Sequence, residues 1–159
     1  MKITILAVGK LKEAFYRDAA AEFQKRLGRY VKLEILETPD EKTPEDASLA
    51  ERQKILDLEG DRLLKLMRQD AYVIALAIQG KMLDSVELSE KIRLLGVGGT
   101  SRIIFVIGGS LGLSDAVLRR ADFRLSFSKM TFPHQLMRVV LLEQIYRSYR
   151  IMNREPYHK

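Results

Sequence analysis

Five consecutive apolar residues, Ile103-Ile104-Phe105-Val106-Ile107, run directly into Gly108-Gly109-Ser110-Leu111-Gly112. A strand with no polar residue on either face must be covered on both, which is the mark of a parallel sheet flanked by helices. The paired glycines at its end let backbone approach a ligand closely. Further on, Phe127-Ser128-Lys129-Met130-Thr131-Phe132-Pro133-His134 makes a second small-polar loop that opens onto a helix. Open α/β sheets bind small molecules where such loops meet at one sheet edge. Function is therefore expected between residue 76 and the C-terminus.

The remaining segments fit the same frame. Lys2–Val8 reads as an Ile- and Val-rich strand stopped by Gly9. Leu11, Phe15, Ala19, Phe23 and Leu27 fall four apart, giving one apolar helix face that ends at Gly28. Val31–Leu36 is a second strand, followed by a charged loop between Thr38 and Pro44. Glu45 to Arg68 is amphipathic, with Leu49, Leu56, Leu63 and Met67 along one side and Gly60 placed to bend or split the helix. Tyr72–Ile78 carries no polar break and is expected to be a central strand. A helix capped by Asp84 or Ser85 runs to Leu95, and Gly96-Val97-Gly98-Gly99 ends it. Then come a strand over Arg102–Ile107, a short helix over Ser114–Arg120, a strand over Phe123–Phe127 and a long helix from Pro133 to Met152. This alternation predicts an α/β fold, a mostly parallel sheet with helices on both faces, in a single domain of 159 residues.

The last helix is unusually apolar. Glu143, Arg147, Arg150 and Arg154 mark one polar stripe, while Leu136, Met137, Val139, Val140, Leu141, Leu142, Ile145, Tyr146 and Tyr149 cover most of the rest. Such a helix must be buried on more than one side. Leu141, Leu142 and Ile145 are expected to exceed what one sheet can cover, so a second copy of the chain is the economical partner and a homodimer is expected.

Charge is unevenly spread around a net of +6. Residues 34–61 hold ten acidic against three basic side chains, and the rest of the chain is correspondingly basic. That surface suits a polyanion such as nucleic acid, and equally an ordinary solvated Lys/Arg surface. There is no cysteine, hence no disulfide, thiol nucleophile or thiolate metal site. No apolar run has the ~20 residues of a membrane span, and Met1-Lys2-Ile3-Thr4 enters a strand rather than a signal peptide. A cytoplasmic protein without a membrane partner is expected.

Several chemistries are disfavoured by pattern. The glycine loop lacks the Gly-Lys-Ser/Thr ending of a P-loop, and Gly9 stands alone where a dinucleotide fingerprint would need three glycines. The only histidines are His134 and His158, so no metal site is expected. Ser110 is outside a Gly-x-Ser-x-Gly elbow. What remains is a pocket of backbone groups beside apolar side chains, formed by Leu76, the glycines at 108–109 and the 127–132 loop. It suits a neutral heterocycle on a charged chain, and a Cβ branch at Gly108 is expected to fill the ligand's space. Glycines after a strand are also common as mere turn formers.

These segments carry a resemblance. Phe105-Val106-Ile107-Gly108-Gly109-Ser110-x-Gly112-Leu113, Leu125-Ser126-Phe127-Ser128-Lys129-Met130-Thr131-Phe132-Pro133-His134 and the terminal Pro156-Tyr157-His158 closely resemble the bacterial RlmH family, small members of the SPOUT methyltransferases. The likeness extends from Ile3-Thr4-Ile5-Leu6-Ala7-Val8-Gly9-Lys10 through Ile78-Gln79-Gly80-Lys81 to the end. It implies an S-adenosylmethionine-dependent enzyme that methylates N3 of a pseudouridine in large-subunit (23S) ribosomal RNA, with a C-terminal trefoil knot and a homodimer. Carried over by position, it implies cofactor contacts at Leu76, Gly108, Phe127, Ser128, Lys129, Met130, Thr131 and Phe132.

Methyl transfer from a sulfonium is an in-line displacement that needs placement of the acceptor nitrogen and loss of its proton. Neither metal nor covalent nucleophile is required. Tyr157, His158 and His134 are the candidates to assist the proton step. A solvated terminal histidine and a loop-organising His134 are the plainer alternatives. Pro156 is expected to end helical continuation and present Tyr157 and His158 as a short extended arm, reaching ~20 Å at most, with the partner's cofactor loop as its target. The modest basic surface suggests that recognition draws on the assembled ribosome. A non-catalytic basic α/β dimer that binds ribosomal RNA is the competing reading.

Overall fold

The computed structural model describes all 159 residues. In chain order the elements are β1 (Lys2–Val8), α1 (Ala14–Leu27), β2 (Lys32–Thr38), α2 (Leu49–Leu66), β3 (Tyr72–Met82), α3 (Ser85–Val97), β4 (Arg102–Ile107), α4 (Asp115–Arg120), β5 (Phe123–Ser126) and α5 (His134–Met152). All strand pairs are parallel, in the order β2-β1-β4-β3-β5. The apolar strand β4 lies at the centre, with β3 one place out, between β4 and β5.

Alternation along the inner strands divides the core in two. Ile3, Ile5, Ala7, Ile103, Phe105 and Ile107 face a layer built from α1, α3 and α5. Leu6, Val8, Ile104 and Val106 face α2 and α4 through Leu63 and Val117. Helices thus cover both faces, and each fully buried Ile, Leu or Phe contributes on the order of 1.5–3 kcal/mol.

Local chemistry sets the helix starts. Asp84 accepts from the Glu87 N–H at 2.8 Å while Glu87 accepts from the Asp84 N–H at 2.7 Å, a reciprocal capping box. Ser48 and Ser114 cap α2 and α4 through their hydroxyls.

Three sequence expectations are corrected. Gly60 does not split α2, which runs unbroken from Leu49 to Leu66; a Cβ there would lie 2.3 Å from Ser114 Oγ, so the glycine lets two helices touch. Phe15 is 63% exposed, because Ala20 and Leu27 turn inward and leave it on the outer side of α1. Leu141, Leu142 and Ile145 are all fully buried within one chain. α5 lies on the sheet between α1 and α3 and needs no second copy to cover those three residues.

Candidate active site

At the carboxyl edge of the sheet, the middle of β3 and the segments following β4 and β5 converge on a cavity of about 800 Å³. Its wall is formed by Leu76–Gln79, by Ile107–Leu113, and by Phe127, Ser128 and Met130–His134, with Leu118, Leu125 and Met137 closing the sides. The register explains the first contribution. Leu76 and Lys81 both pair with Leu125, so the intervening residues leave the ladder, and Ala77–Gln79 line the cavity. The expected trefoil knot would belong to this region, where these segments meet.

The glycine loop is tightly folded. The Gly112 N–H donates to Gly109 O at 3.1 Å, and a Cβ on Gly108 would lie 2.4 Å from Gly112 O. The obstacle at Gly108 is therefore the loop's own backbone, where the sequence reading put ligand space. On the far side Glu59, only 4% exposed, accepts the Glu41 N–H at 2.9 Å and lies against Gly109. Burial pushes its carboxyl above the ordinary range, the Glu41 N–H opposing. In the third segment the Ser128 hydroxyl accepts the Met130 N–H at 2.9 Å, and the Ser126 hydroxyl donates to Ser128 O at 3.0 Å, fixing the turn that carries Phe127.

His134 is the only titratable side chain lining the cavity. It opens α5 beside the β1–α1 loop, where the Lys12 N–H donates to Gln135 Oε1 at 2.8 Å. Burial lowers its pKa, Arg138 and Lys12 lower it further, and Asp40 opposes them. Arg138, one turn along and 3% exposed, donates to Glu37 at 2.5 Å and to Gly9 O at 3.0 Å, tying α5 to the ends of β1 and β2.

The C-terminal tail is not a free arm. Arg154 takes a left-handed turn at φ 54°, and the chain folds back along α5. Arg150 donates to Pro156 O at 2.7 Å and also holds Glu155. The Tyr157 ring meets Tyr146 edge-on at 4.9 Å, and its hydroxyl donates to Glu143 Oε1 at 3.0 Å. Arg147 donates to the same carboxylate through Nε at 3.0 Å and Nη2 at 2.5 Å, and approaches His158 Nδ1 through Nη1 at 3.1 Å. Most of the polar stripe read along the last helix is thus the tail's docking surface. Glu143 and Arg147 lie roughly 14–20 Å along the helix from His134, and neither Tyr157 nor His158 lines the cavity of its own chain.

Of the residues singled out from sequence, Leu76, Gly108, Phe127, Ser128, Met130, Thr131, Phe132 and His134 come together around the cavity. Lys129 is exposed and outside its lining. Ile78, Gln79, Leu118, Leu125 and Met137 also line it, and sequence reasoning did not place them there. Ile78, Gln79 and Leu125 fall within the segments that carry the resemblance, but their place in the wall depends on the pairing of β3 with β5. No group of acidic residues and histidines is arranged to hold a metal ion, and no helix is long and apolar enough to cross a membrane.

Comparison with known proteins gives the same picture over the whole chain. A family model described as "Predicted SPOUT methyltransferase" matches residues 1–158. The ribosomal RNA large subunit methyltransferase H of Bifidobacterium adolescentis is 63% identical over 159 residues, covering all of both chains. The putative ribosomal RNA large subunit methyltransferase H of Methanococcus vannielii is 59% identical and that of Alkaliphilus oremlandii, named without the qualifier, 58%, again over the full length of each. The family model and the full-length relatives, matching a chain whose cavity is built of backbone and apolar groups, place it in the SPOUT methyltransferase family, in its RlmH-type branch.

Proposed function

We propose that this protein transfers a methyl group from S-adenosylmethionine to N3 of a pseudouridine in large-subunit (23S) ribosomal RNA, acting as a homodimer on the assembled ribosome. The observation that carries this reading is the cavity. Its size falls in the ~300–1,000 Å³ range of small-molecule sites. It offers glycine-loop backbone and apolar walls, with no lysine, arginine or carboxylate among its lining.

The cofactor fits these residues. Leu76, Leu125 and the glycine loop would hold its heterocycle, and Phe127 to Phe132 its amino-acid arm. When bound, it supplies an electrophilic methyl group on sulfur. The chain's own part is to exclude water, orient the acceptor ring and take up the N3 proton. His134 is suited to that last task, since burial and Arg138 favour its neutral, proton-accepting form.

The dimer has different support from that offered by the sequence. Ile78, Met130 and Phe132 line the cavity yet are each at least 40% exposed, apolar surface of the kind a partner covers. The tail of the same chain docks away from its own cavity, so a second copy is the natural source of Tyr157 and His158. Titration calorimetry with S-adenosylmethionine, followed by mass spectrometry of ribosomal RNA after incubation with unmethylated ribosomes, tests the proposal. We expect cofactor binding and one added methyl on a pseudouridine. RNA binding without cofactor binding would instead favour a non-catalytic module.

A further inference from the structure

The network around the tail specifies which nitrogen of His158 holds the proton. Arg147 donates through Nε and Nη2 to Glu143, and its guanidinium lies over the Tyr157 ring, 4.7 Å from the centroid. Both contacts fix the plane of the fork and leave Nη1 directed at His158 Nδ1, 3.1 Å away. A guanidinium has five donors and no acceptor. The contact is therefore a hydrogen bond only if Nδ1 offers its lone pair, which places the ring proton on Nε2.

Tyr157 is committed in the same sense. Its hydroxyl donates to Glu143, and burial together with that carboxylate raises its pKa, so it stays a phenol. The charged groups around the tail are Glu143, Arg147 and Arg150 of α5, Glu155 and Lys159 of the tail itself, and Arg26 of α1, whose charge reaches Tyr157. With Nδ1 engaged, the free side of His158 is an N–H donor and not a proton acceptor.

We infer that His158 serves as a hydrogen-bond donor to a carbonyl oxygen of the target base, with Arg147 as the positioning residue that selects this tautomer. The inference rests on the proposed reaction and on the tail reaching the partner's cavity. In a uracil-type ring N3–H lies between two carbonyls. When the proton passes to His134, the electron pair left on N3 is shared with those oxygens. An Nε2–H donor stabilises that charge, and the N3 pair then forms the bond to the methyl carbon while the carbon–sulfur pair returns to sulfur. His134 and His158 thus divide the work of acceptor and donor, one from each subunit.

Two measurements on the full-length protein test this. In the ¹⁵N-histidine-labelled protein without RNA, two-bond ¹H–¹⁵N correlations should show neutral His158 protonated at Nε2. Arg147→Gln, whose amide can donate or accept, should give a mixture of tautomers. An Nδ1–H tautomer in the unsubstituted protein overturns the inference. In single-turnover methylation of ribosomes, His158→Gln retains an N–H near the Nε2 position and should stay within about tenfold of the wild-type rate, with the same pH profile. His158→Ala should lose about 10²–10³-fold, the usual effect of removing one such donor. Equal loss in both variants, with the acid limb of the profile gone, would make His158 the base and overturn the inference. Absence of methyl transfer by the unsubstituted protein would overturn the proposed reaction itself, and the carbonyl target with it, whatever the tautomer spectrum shows.

Discussion

His134 stands where helix, cavity and β1–α1 loop meet, and its neutral form is favoured for a physical reason: a half-buried imidazole next to Arg138 resists a second positive charge. Its folded pKa lies below its unfolded value, so the unfolded chain binds more protons and stability rises with pH. The contribution is complete above the unfolded value of 6.5 and is lost as pH falls through the folded one. Urea midpoints measured from pH 8 to pH 5 should fall, and His134→Gln should flatten the dependence. Gly108 and Gly112 make a second contrast. At Gly108 a Cβ meets the Gly112 carbonyl, whereas at Gly112 it meets nothing within 4 Å but must sit at φ +86°. Gly108→Ala should therefore cost ~1–3 kcal/mol and open the loop, abolishing S-adenosylmethionine binding by calorimetry. Gly112→Ala should cost only the ~1–2 kcal/mol of left-handed strain and weaken binding less.

Between elements, contacts override local propensity. Replacing Gly60 with alanine in an isolated helix would add ~1 kcal/mol of stability. In this protein the same change should destabilise, by ~1–3 kcal/mol of overpacking against the buried cap of α4. Equilibrium denaturation of Gly60→Ala, Ser114→Gly and the double variant should show positive coupling, with the second substitution relieving the first. The helix face through Leu49, Leu56, Leu63 and Met67 illustrates the limit of periodicity. Leu63 is buried and Leu49 is 86% exposed, because only the later turns of α2, from Glu59 onward, pack into the core. β3 was legible as a strand, but its extension to Met82 and the break in the ladder beside the cavity depend on pairing with Leu125.

In the whole molecule, the acidic segment runs from β2 through the following loop into α2, and Lys10, Lys12 and Lys129 are exposed without a carboxylate partner. These free lysines suit contact with RNA phosphates, an affinity that then falls log-linearly with salt. The proposed two-subunit site makes a sharper prediction. A protein lacking Tyr157–Lys159 and a Gly108→Ala protein should each be inactive in methyl transfer. Co-refolding the two should restore activity, because one site per heterodimer combines an intact cavity with an intact partner tail. A mixture that stays inactive while cross-linking shows heterodimers would place the tail in service of its own subunit.

The sequence alone determined the order of elements, the parallel α/β class and the two loops that carry the cavity, because period-2 and period-4 apolar spacing, glycine pairs and cap residues act over a few neighbouring positions. It also carried the family, through motifs whose spacing is local. Tertiary structure decided the rest. Whether Leu141, Leu142 and Ile145 required a second chain depended on α1 and α3 closing over α5, and the role of Gly60 depended on Ser114, far away in sequence. The tail's fold-back onto Glu143 and Arg147 rests on aromatic and charged contacts between residues on one helix and the chain that follows it. Such decisions lie outside any local pattern, since each is fixed by which surfaces the packed chain brings within a few ångströms of each other.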